Sequence, residues 1–331
     1  MSGFWAGKSV LVTGASGVVG SWLVPLLLDE GAHVAVLLRD DDHRSHFYRS
    51  RAAEHVAVVN GALEDFRTVE RAINEHATDT VVHLGAQTIV DTALRAPLPT
   101  FEANIRGTYN VLEACRQHRN LVERVAVASS DKAYGDHGGQ AYQEDAPLAA
   151  KHPYDVSKAC GDLLAQTYAW TYELPVVIAR CGNIYGGGDL NWSRIVPGTI
   201  RSLLEGQPPV LRSDGSFVRD YLYVKDAASA YLTIAEHAAD EPVRGEAFNF
   251  SPGSPVTVLA MVAKLRQIAG REDLQPVILN TARNEIRTQV LQSEKARTRF
   301  GWAPRYSLDE GLAETWTWYR DFLSDTWRKS S

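Results

Sequence analysis

Ser9-Val10-Leu11-Val12-Thr13-Gly14-Ala15-Ser16-Gly17-Val18-Val19-Gly20-Ser21-Trp22-Leu23 decides the fold. A short apolar run ends at a glycine turn, and Leu23, Leu26 and Leu27 follow at helical spacing. This order lets a backbone carry a helix N-terminus up to a phosphate. The glycines allow close approach, while the first-turn N–H groups and the helix dipole favour negative charge. The spacing G-x-x-G-x-x-G is weak evidence alone and also fits a structural turn. Its place between the first strand and the first helix points to a dinucleotide-binding loop.

Outward from this loop, strands alternate with helices. Apolar runs at 33–38, 55–59, 80–84, 124–128 and 175–179 read as strands. Helical spacing covers 21–30, 65–75, 100–117 and 154–170, with Pro25 expected to bend the first of these. The strands are continuously apolar, as in a parallel sheet covered on both faces. The fold class is therefore α/β, a Rossmann-type doubly wound parallel sheet with a smaller mixed lobe. Residues 182–219 are rich in Gly, Pro, Asn and Asp and suit loops that close on a ligand. Helices are expected at 224–237, 257–269 and 307–323, and a strand at 247–250. The reading assigns 1–180, with 217–240, to the dinucleotide-binding unit, and 181–216 with 241–331 to the lobe.

The composition narrows the classes. A chain of 331 residues allows about two domains. Its net charge of −6 disfavours broad binding to nucleic acid or anionic membranes. No apolar stretch is long enough to span a bilayer, and MSGFWAGKSV lacks the order of a signal peptide. Cys115, Cys160 and Cys181 lack metal-site spacing and read as thiols of a reducing compartment, so a cytoplasmic protein without a metal is expected.

Two further stretches carry chemistry. Tyr154-Asp155-Val156-Ser157-Lys158 puts a phenol and an ammonium on one helix face. The ammonium favours the phenolate, so Tyr154 can exchange a proton near neutral pH; a surface pair is the plain alternative. Ser129-Ser130-Asp131-Lys132-Ala133-Tyr134-Gly135 follows an apolar strand, at the edge where doubly wound sheets bind ligands. Ser130 can bond a reacting oxygen. Asp131 and Lys132 can act as acid and base, or pair with each other.

Taken together, the glycine loop, Ser130 and Tyr154-x-x-x-Lys158 resemble the extended short-chain dehydrogenase/reductase family. His83-Leu84-Gly85-Ala86, Asn104-Ile105-Arg106-Gly107-Thr108, Asn183-Ile184-Tyr185-Gly186, Arg219-Asp220-Tyr221 and Phe300-Gly301-Trp302-Ala303-Pro304 extend the resemblance over the whole chain. Ser130-Asp131 is most similar to the nucleotide-sugar 4,6-dehydratases, and Ser130-Asp131-Lys132 to their CDP-glucose group. The resemblance implies a nucleotide-diphosphate sugar as substrate. It also implies a recycled nicotinamide cofactor and a homodimer through helices 105–117 and 154–170, with Leu112, Leu163, Leu164 and Tyr168 at the interface.

It further implies site roles. Ser130, Asp131, Lys132, Tyr154 and Lys158 would be catalytic: Tyr154 takes the 4-hydroxyl proton, Asp131 protonates the departing 6-hydroxyl, and Lys132 either removes the C5 proton in neutral form or orients Asp131. The cofactor would lie against Gly14, Ser16, Gly17, Val18, Val19, Gly20, Arg39, Ala62, Leu63, Leu84, Ala86, Asn104, Tyr154 and Lys158. Gln87, Asn183, Arg194, Arg219 and Arg287 would hold the substrate. Leu38 stands where an acid usually selects NAD, and Arg39 follows, which leans the choice to NADP; Asp40, Asp41 and Asp42 argue for NAD. The family's acids at Ala62 and Gln292 are missing, and Arg219-Asp220-Tyr221-Leu222-Tyr223 replaces the CDP-glucose group's Trp-Gln-His. Alternative readings are a 4-epimerase or decarboxylase on the same fold, and a cofactor-sensing binding protein without turnover.

Overall fold

The computed structural model describes residues 3–281 and 286–330, the last five by backbone only. The strands in chain order are β1 (Ser9–Thr13), β2 (His33–Leu38), β3 (Ala57–Asn60), β4 (Thr80–His83), β5 (Arg124–Ala128), β6 (Val176–Cys181), β7 (Asn183–Tyr185), β8 (Val210–Leu211), β9 (Val218–Arg219), β10 (Tyr221–Tyr223), β11 (Ala247–Phe250), β12 (Val256–Thr257), β13 (Val277–Ile278) and β14 (Thr288–Gln289). Seven of them form one parallel sheet in the order β11-β6-β5-β4-β1-β2-β3. Within β1, Val10 and Val12 enter one apolar layer and Leu11 the other. Both faces are covered by helices, which is why the strand reads as continuously apolar. The chain runs from β1 outward to β2 and β3, then returns to β4 on the other side. The strand order therefore reverses at β1, and the crevice at its carboxyl end is where such folds bind ligands.

Several expectations need correction. The helix expected at 100–117 is interrupted. An α-helix at Pro97–Phe101 leads into a π-helical turn at Glu102–Arg106, and the α-helix resumes at Gly107–Gln117. The widened turn brings Asn104 inward, where its amide donates to Gln87 O and Ser157 Oγ at 2.9 Å each. The helix Gly20–Asp29 runs continuously through Pro25. Strand β11 lies within 241–331 but pairs with β6 as the edge of the main sheet, so this segment belongs to the sheet and not to the lobe. Leu112 is fully buried in the core beneath the sheet, so it is not an interface residue.

The lobe has its own core. Val196, Ile200, Tyr223, Met261, Leu265, Leu312 and Tyr319 pack together over the crevice. Its last helix, Leu308–Ser330, reaches back to the sheet half. Trp318 Nε1 donates to His46 Nδ1 at 3.1 Å, His46 stacks on Trp22 at 3.9 Å, and Trp22 Nε1 donates to Gly187 O. Burial pulls His46 down to about 4, so the ring is a neutral acceptor.

One buried ion pair ties the segments that carry the chemistry. Arg180 on β6 is 3% exposed; its Nε and Nη2 donate to Asp162 at 2.8 and 2.9 Å. Its Nη1 donates to Tyr134 Oη and to Glu144 O, both at 2.9 Å. Tyr134 in turn donates to Asn249 Oδ1 on β11 at 2.7 Å. Removing one partner leaves a buried charge unpaired, which costs about 3–5 kcal/mol. Asp162→Leu is therefore expected to lower the unfolding free energy by about 3–5 kcal/mol, read from the shift of the denaturant midpoint at unchanged slope. The double variant with Arg180→Met is expected to recover much of the loss, and no recovery would sink this account of the pair.

Candidate functional site

A cavity of about 760 Å3 opens along the carboxyl ends of β1, β2, β4, β5 and β6 and continues beneath the lobe. At one end lies the glycine turn. Gly14 has φ +74°, and a Cβ there would stand 2.7 Å from Gly85 N, so the ends of β1 and β4 meet backbone to backbone. A Cβ on Gly20 would stand 2.3 Å from Gly14 O, which seats the helix start against the turn. The helix Gly20–Asp29 has no capping side chain and no acid in its first turn. Ser21 N donates to Gly17 O, and Trp22 N and Leu23 N to Val19 O, so the turn ahead of the helix, Ser16 to Val19, and the positive end of the helix dipole are what face the cavity. A dinucleotide pyrophosphate fits this cradle.

Beneath the turn runs a buried hydrogen-bonded chain. Gly85 N donates to Thr13 Oγ1, Thr13 meets His83 Nδ1 at 2.8 Å, and His83 Nε2 meets Thr108 Oγ1 at 3.1 Å. Thr108 donates onward to Asn104 O. With both ends fixed, Thr13 donates to Nδ1 and Nε2–H donates to Thr108. Burial, and then the charge of Lys158, pull His83 down to about 3, so the ring is neutral.

The catalytic candidates converge in the middle of the cavity. The 3-10 turn Asp131–Tyr134 starts at Ser130, whose Oγ donates to Asp131 Oδ1 at 3.0 Å and accepts from Lys132 N. The helix Pro153–Tyr172 presents Tyr154 and Lys158 to the same space, and Ser130 hydrogen-bonds Tyr154. Lys158 Nζ donates to Ala128 O at 2.8 Å. Burial holds both groups toward neutrality: Tyr154 is pushed up to about 12 and Lys158 pulled down to about 8. In this arrangement Tyr154 is a phenol, and further positive charge in the cavity is needed to ionise it.

Lys132 Nζ donates to Asn183 Oδ1 at 3.1 Å and to Asp131 Oδ1 at 3.4 Å. Of the two roles expected of Lys132, these contacts match the orientation of Asp131. Arg39 donates to Asp40 at 2.7 Å, and the pair is exposed. The guanidinium that leaned the choice to NADP is thus neutralised by its neighbour.

Most other expected residues line the cavity: Leu63, Leu84 and Ala86 on the dinucleotide side, and Asn183, Arg194 and Arg219 on the lobe side. Arg194 is held by Asp189 at 3.0 Å. Ala62, Gln87, Asn104 and Arg287 are not among the lining residues. Asn104 spends its amide on Gln87 and Ser157 and shapes the loop; Arg287 is exposed, and its carbonyl accepts from Arg219.

The structure adds residues. Gln289 is 3% exposed, lines the cavity, and its Nε2 has no partner among the described residues. It lies opposite Arg219 in the β14–β9 register, as Asn183 lies opposite Tyr221 in β7–β10. Strand alternation puts all four on the cavity side. Only the register, which is not written in any motif, reveals Gln289. Asp155, 7% exposed, also lines the cavity and hydrogen-bonds no described group.

The sequence profile of the NAD dependent epimerase/dehydratase family matches residues 10–250. The chain belongs to this family. Among its relatives, a CDP-glucose 4,6-dehydratase of Salmonella typhimurium is 29% identical over 334 residues, covering 97% of this chain and 92% of that one. A dTDP-glucose 4,6-dehydratase structure from Streptomyces venezuelae with NAD bound superposes with a TM-score of 0.85 at 28% identity, covering 94% of this chain and 97% of that one. A UDP-glucose 4-epimerase structure from Thermotoga maritima, holding UDP-glucose, gives 0.86 at 28% identity and covers 95% and 99%. The glycine cradle and the Ser130, Tyr154 and Lys158 cluster of this family member therefore sit on the family's fold.

Asp155 provides a test of this electrostatic picture. Burial raises its carboxyl from 3.8 to about 6, partly opposed by Lys132 and His152, with Asp131 adding to the rise. A carboxyl raised in the folded state binds more protons there than when unfolded, so its ionisation costs stability as pH climbs from about 4 through 6. Asp155→Asn is expected to stabilise the protein at pH 8 by on the order of 2 kcal/mol, with the gain fading toward pH 4. A thermal-unfolding series across pH measures this; equal stability of the two proteins at pH 8 would refute it.

Proposed function

We propose that this family member is a nucleotide-sugar 4,6-dehydratase. It converts an NDP-hexose, CDP-glucose-like, to the NDP-4-keto-6-deoxyhexose. The observation that carries the reading is Asp131: a carboxyl group, 2% exposed, held by Ser130 and Lys132 in the cavity that Tyr154 also lines. Oxidation at C4 alone asks for Ser130, Tyr154 and Lys158. Loss of the 6-hydroxyl asks in addition for an acid, which Asp131 supplies. A bound nicotinamide supplies the hydride acceptor and donor.

The residues divide the remaining work. Tyr154 accepts the proton of the 4-hydroxyl, and Ser130 aligns that oxygen. Lys158, cationic at neutral pH, steadies the phenolate once it forms. Lys132 orients Asp131 and bridges it to Asn183. Arg219, Asn183 and Arg194 offer donors for the diphosphate. NAD is the cofactor we favour, because Asp40 lines the cavity beside Arg39 and would repel a 2′-phosphate. Exposed Leu163, Trp170 and Tyr172 on the helix Pro153–Tyr172 support the expected homodimer. Three free thiols support a reducing, cytoplasmic setting. The second reading, a 4-epimerase, is favoured by the similarity to the Thermotoga maritima structure.

Mass spectrometry on the protein incubated with CDP-glucose, dTDP-glucose, UDP-glucose and GDP-mannose separates the two. Loss of one water from one substrate without added reductant is expected. Asp131→Asn is expected to slow that loss by about 10²-fold or more while leaving C4 oxidation in place. An unchanged mass with an epimer visible by proton NMR would give the function to the epimerase reading.

A separate test addresses the dimer. Replacing Leu163 and Trp170 together by Glu is expected to give a monomer in analytical ultracentrifugation, with the wild type dimeric. A monomeric wild type would refute the interface.

A further inference from the structure

Water loss from a 4-keto-6-hydroxy sugar needs a base at C5 as well as an acid at O6. Lys132 does not meet that need, because its Nζ is already engaged by Asp131 and Asn183. The other carboxylates lining the cavity are mostly engaged. Asp40 pairs with Arg39, Asp91 with Arg212, and Asp189 with Arg194. Glu64 lies at the dinucleotide end, beside Gly61 and Leu63. Asp131 holds hydrogen bonds from Ser130 and Lys132.

Asp155 is different. It follows Tyr154 in the first turn of the helix Pro153–Tyr172, lines the cavity and receives no hydrogen bond from a described group. It lines the same cavity as Asp131, Lys132 and His152, the charged groups that act on it. A buried carboxylate without a donor is costly to keep, and such groups persist where a ligand uses them.

We propose that Asp155 is a catalytic residue, the base that removes the C5 proton; this rests on the dehydratase reading. In this step the C5–H bond breaks and its proton passes to a carboxylate oxygen of Asp155. The electron pair forms the C5–C6 double bond as the C6–O bond breaks. The departing oxygen takes the proton that Asp131 carries on Oδ2, since Ser130 and Lys132 both bond its Oδ1, and leaves as water. The step is redox-neutral, and Asp155 later returns a proton to C5. Burial makes this carboxylate a stronger base than an exposed one, and it is ionised above about pH 6. Lys132 thus holds the leaving-group acid, and the base stands in the first turn of the helix Pro153–Tyr172.

The test uses the full-length holoenzyme in D2O with the sugar nucleotide that the mass measurement identifies. Wild type is expected to place deuterium at C5 of the product. Asp155→Asn is expected to lose water about 10²-fold more slowly. It should still build up reduced nicotinamide absorbance when substrate is added, showing that C4 oxidation survives. Asp155→Glu is expected to restore part of the C5 exchange, a rescue that a merely structural role would not produce. Asp155→Asn losing water at the wild-type rate would overturn the proposal. So would retention by Asp155→Asn together with loss in His152→Gln, which gives the role to His152. A wild type that dehydrates no sugar nucleotide would overturn the dehydratase reading itself, a result distinct from either of these.

Discussion

The guanidinium of Arg180 fixes what the site depends on. It leaves β6, grips Asp162 on the helix that carries Tyr154 and Lys158, and binds Tyr134 in the turn that carries Ser130 and Asp131. Through Tyr134 it also reaches Asn249 on the edge strand. Three segments distant in sequence are thereby set to one another by hydrogen bonds of fixed direction. Apolar packing alone would bring them together but would leave their rotation about the sheet less defined.

Burial, the same condition that makes this pair rigid, sets the electrostatics of the cavity. It keeps Tyr154 protonated, pulls Lys158 down and raises Asp155. Each of these groups is held away from its charged form by the same desolvation, and each gains from a partner arriving in the cavity. The residues are arranged for a filled site. Orphaned donors such as Asn183 Nδ2 and Gln289 Nε2 follow the same pattern on the lobe side.

Much of this was legible in the sequence because the periodicities are clean. The continuous apolar runs fixed a covered parallel sheet, and the glycine turn fixed where its crevice lies. The helix 224–237 and the strand 247–250 fell where expected, yet the strand's home in the main sheet was not visible, since pairing across 66 or more residues leaves no local trace. The π-helical turn at Glu102–Arg106 likewise has no periodic signature; it exists because Asn104 is drawn in by Gln87 and Ser157. Side-chain partnerships were the least legible. Arg39 and Lys132 stood in the right places, and only coordinates show Asp40 and Asp131 taking up their charge. Asp155 stands within the Tyr154–Lys158 motif, but its burial and its place in the cavity are tertiary properties that the motif does not encode.

The contact between Trp318 and His46 has a consequence for how the crevice opens. An indole nitrogen can only donate, so the clasp requires an imidazole lone pair, and burial preserves that lone pair down to about pH 4. Ordinary acidification leaves it intact. Because β1 and β4 meet backbone to backbone, there is no side chain at that seam to swing aside. The lobe's last helix stays clasped to the sheet half across the pH range in which Asp155 and Lys158 change charge.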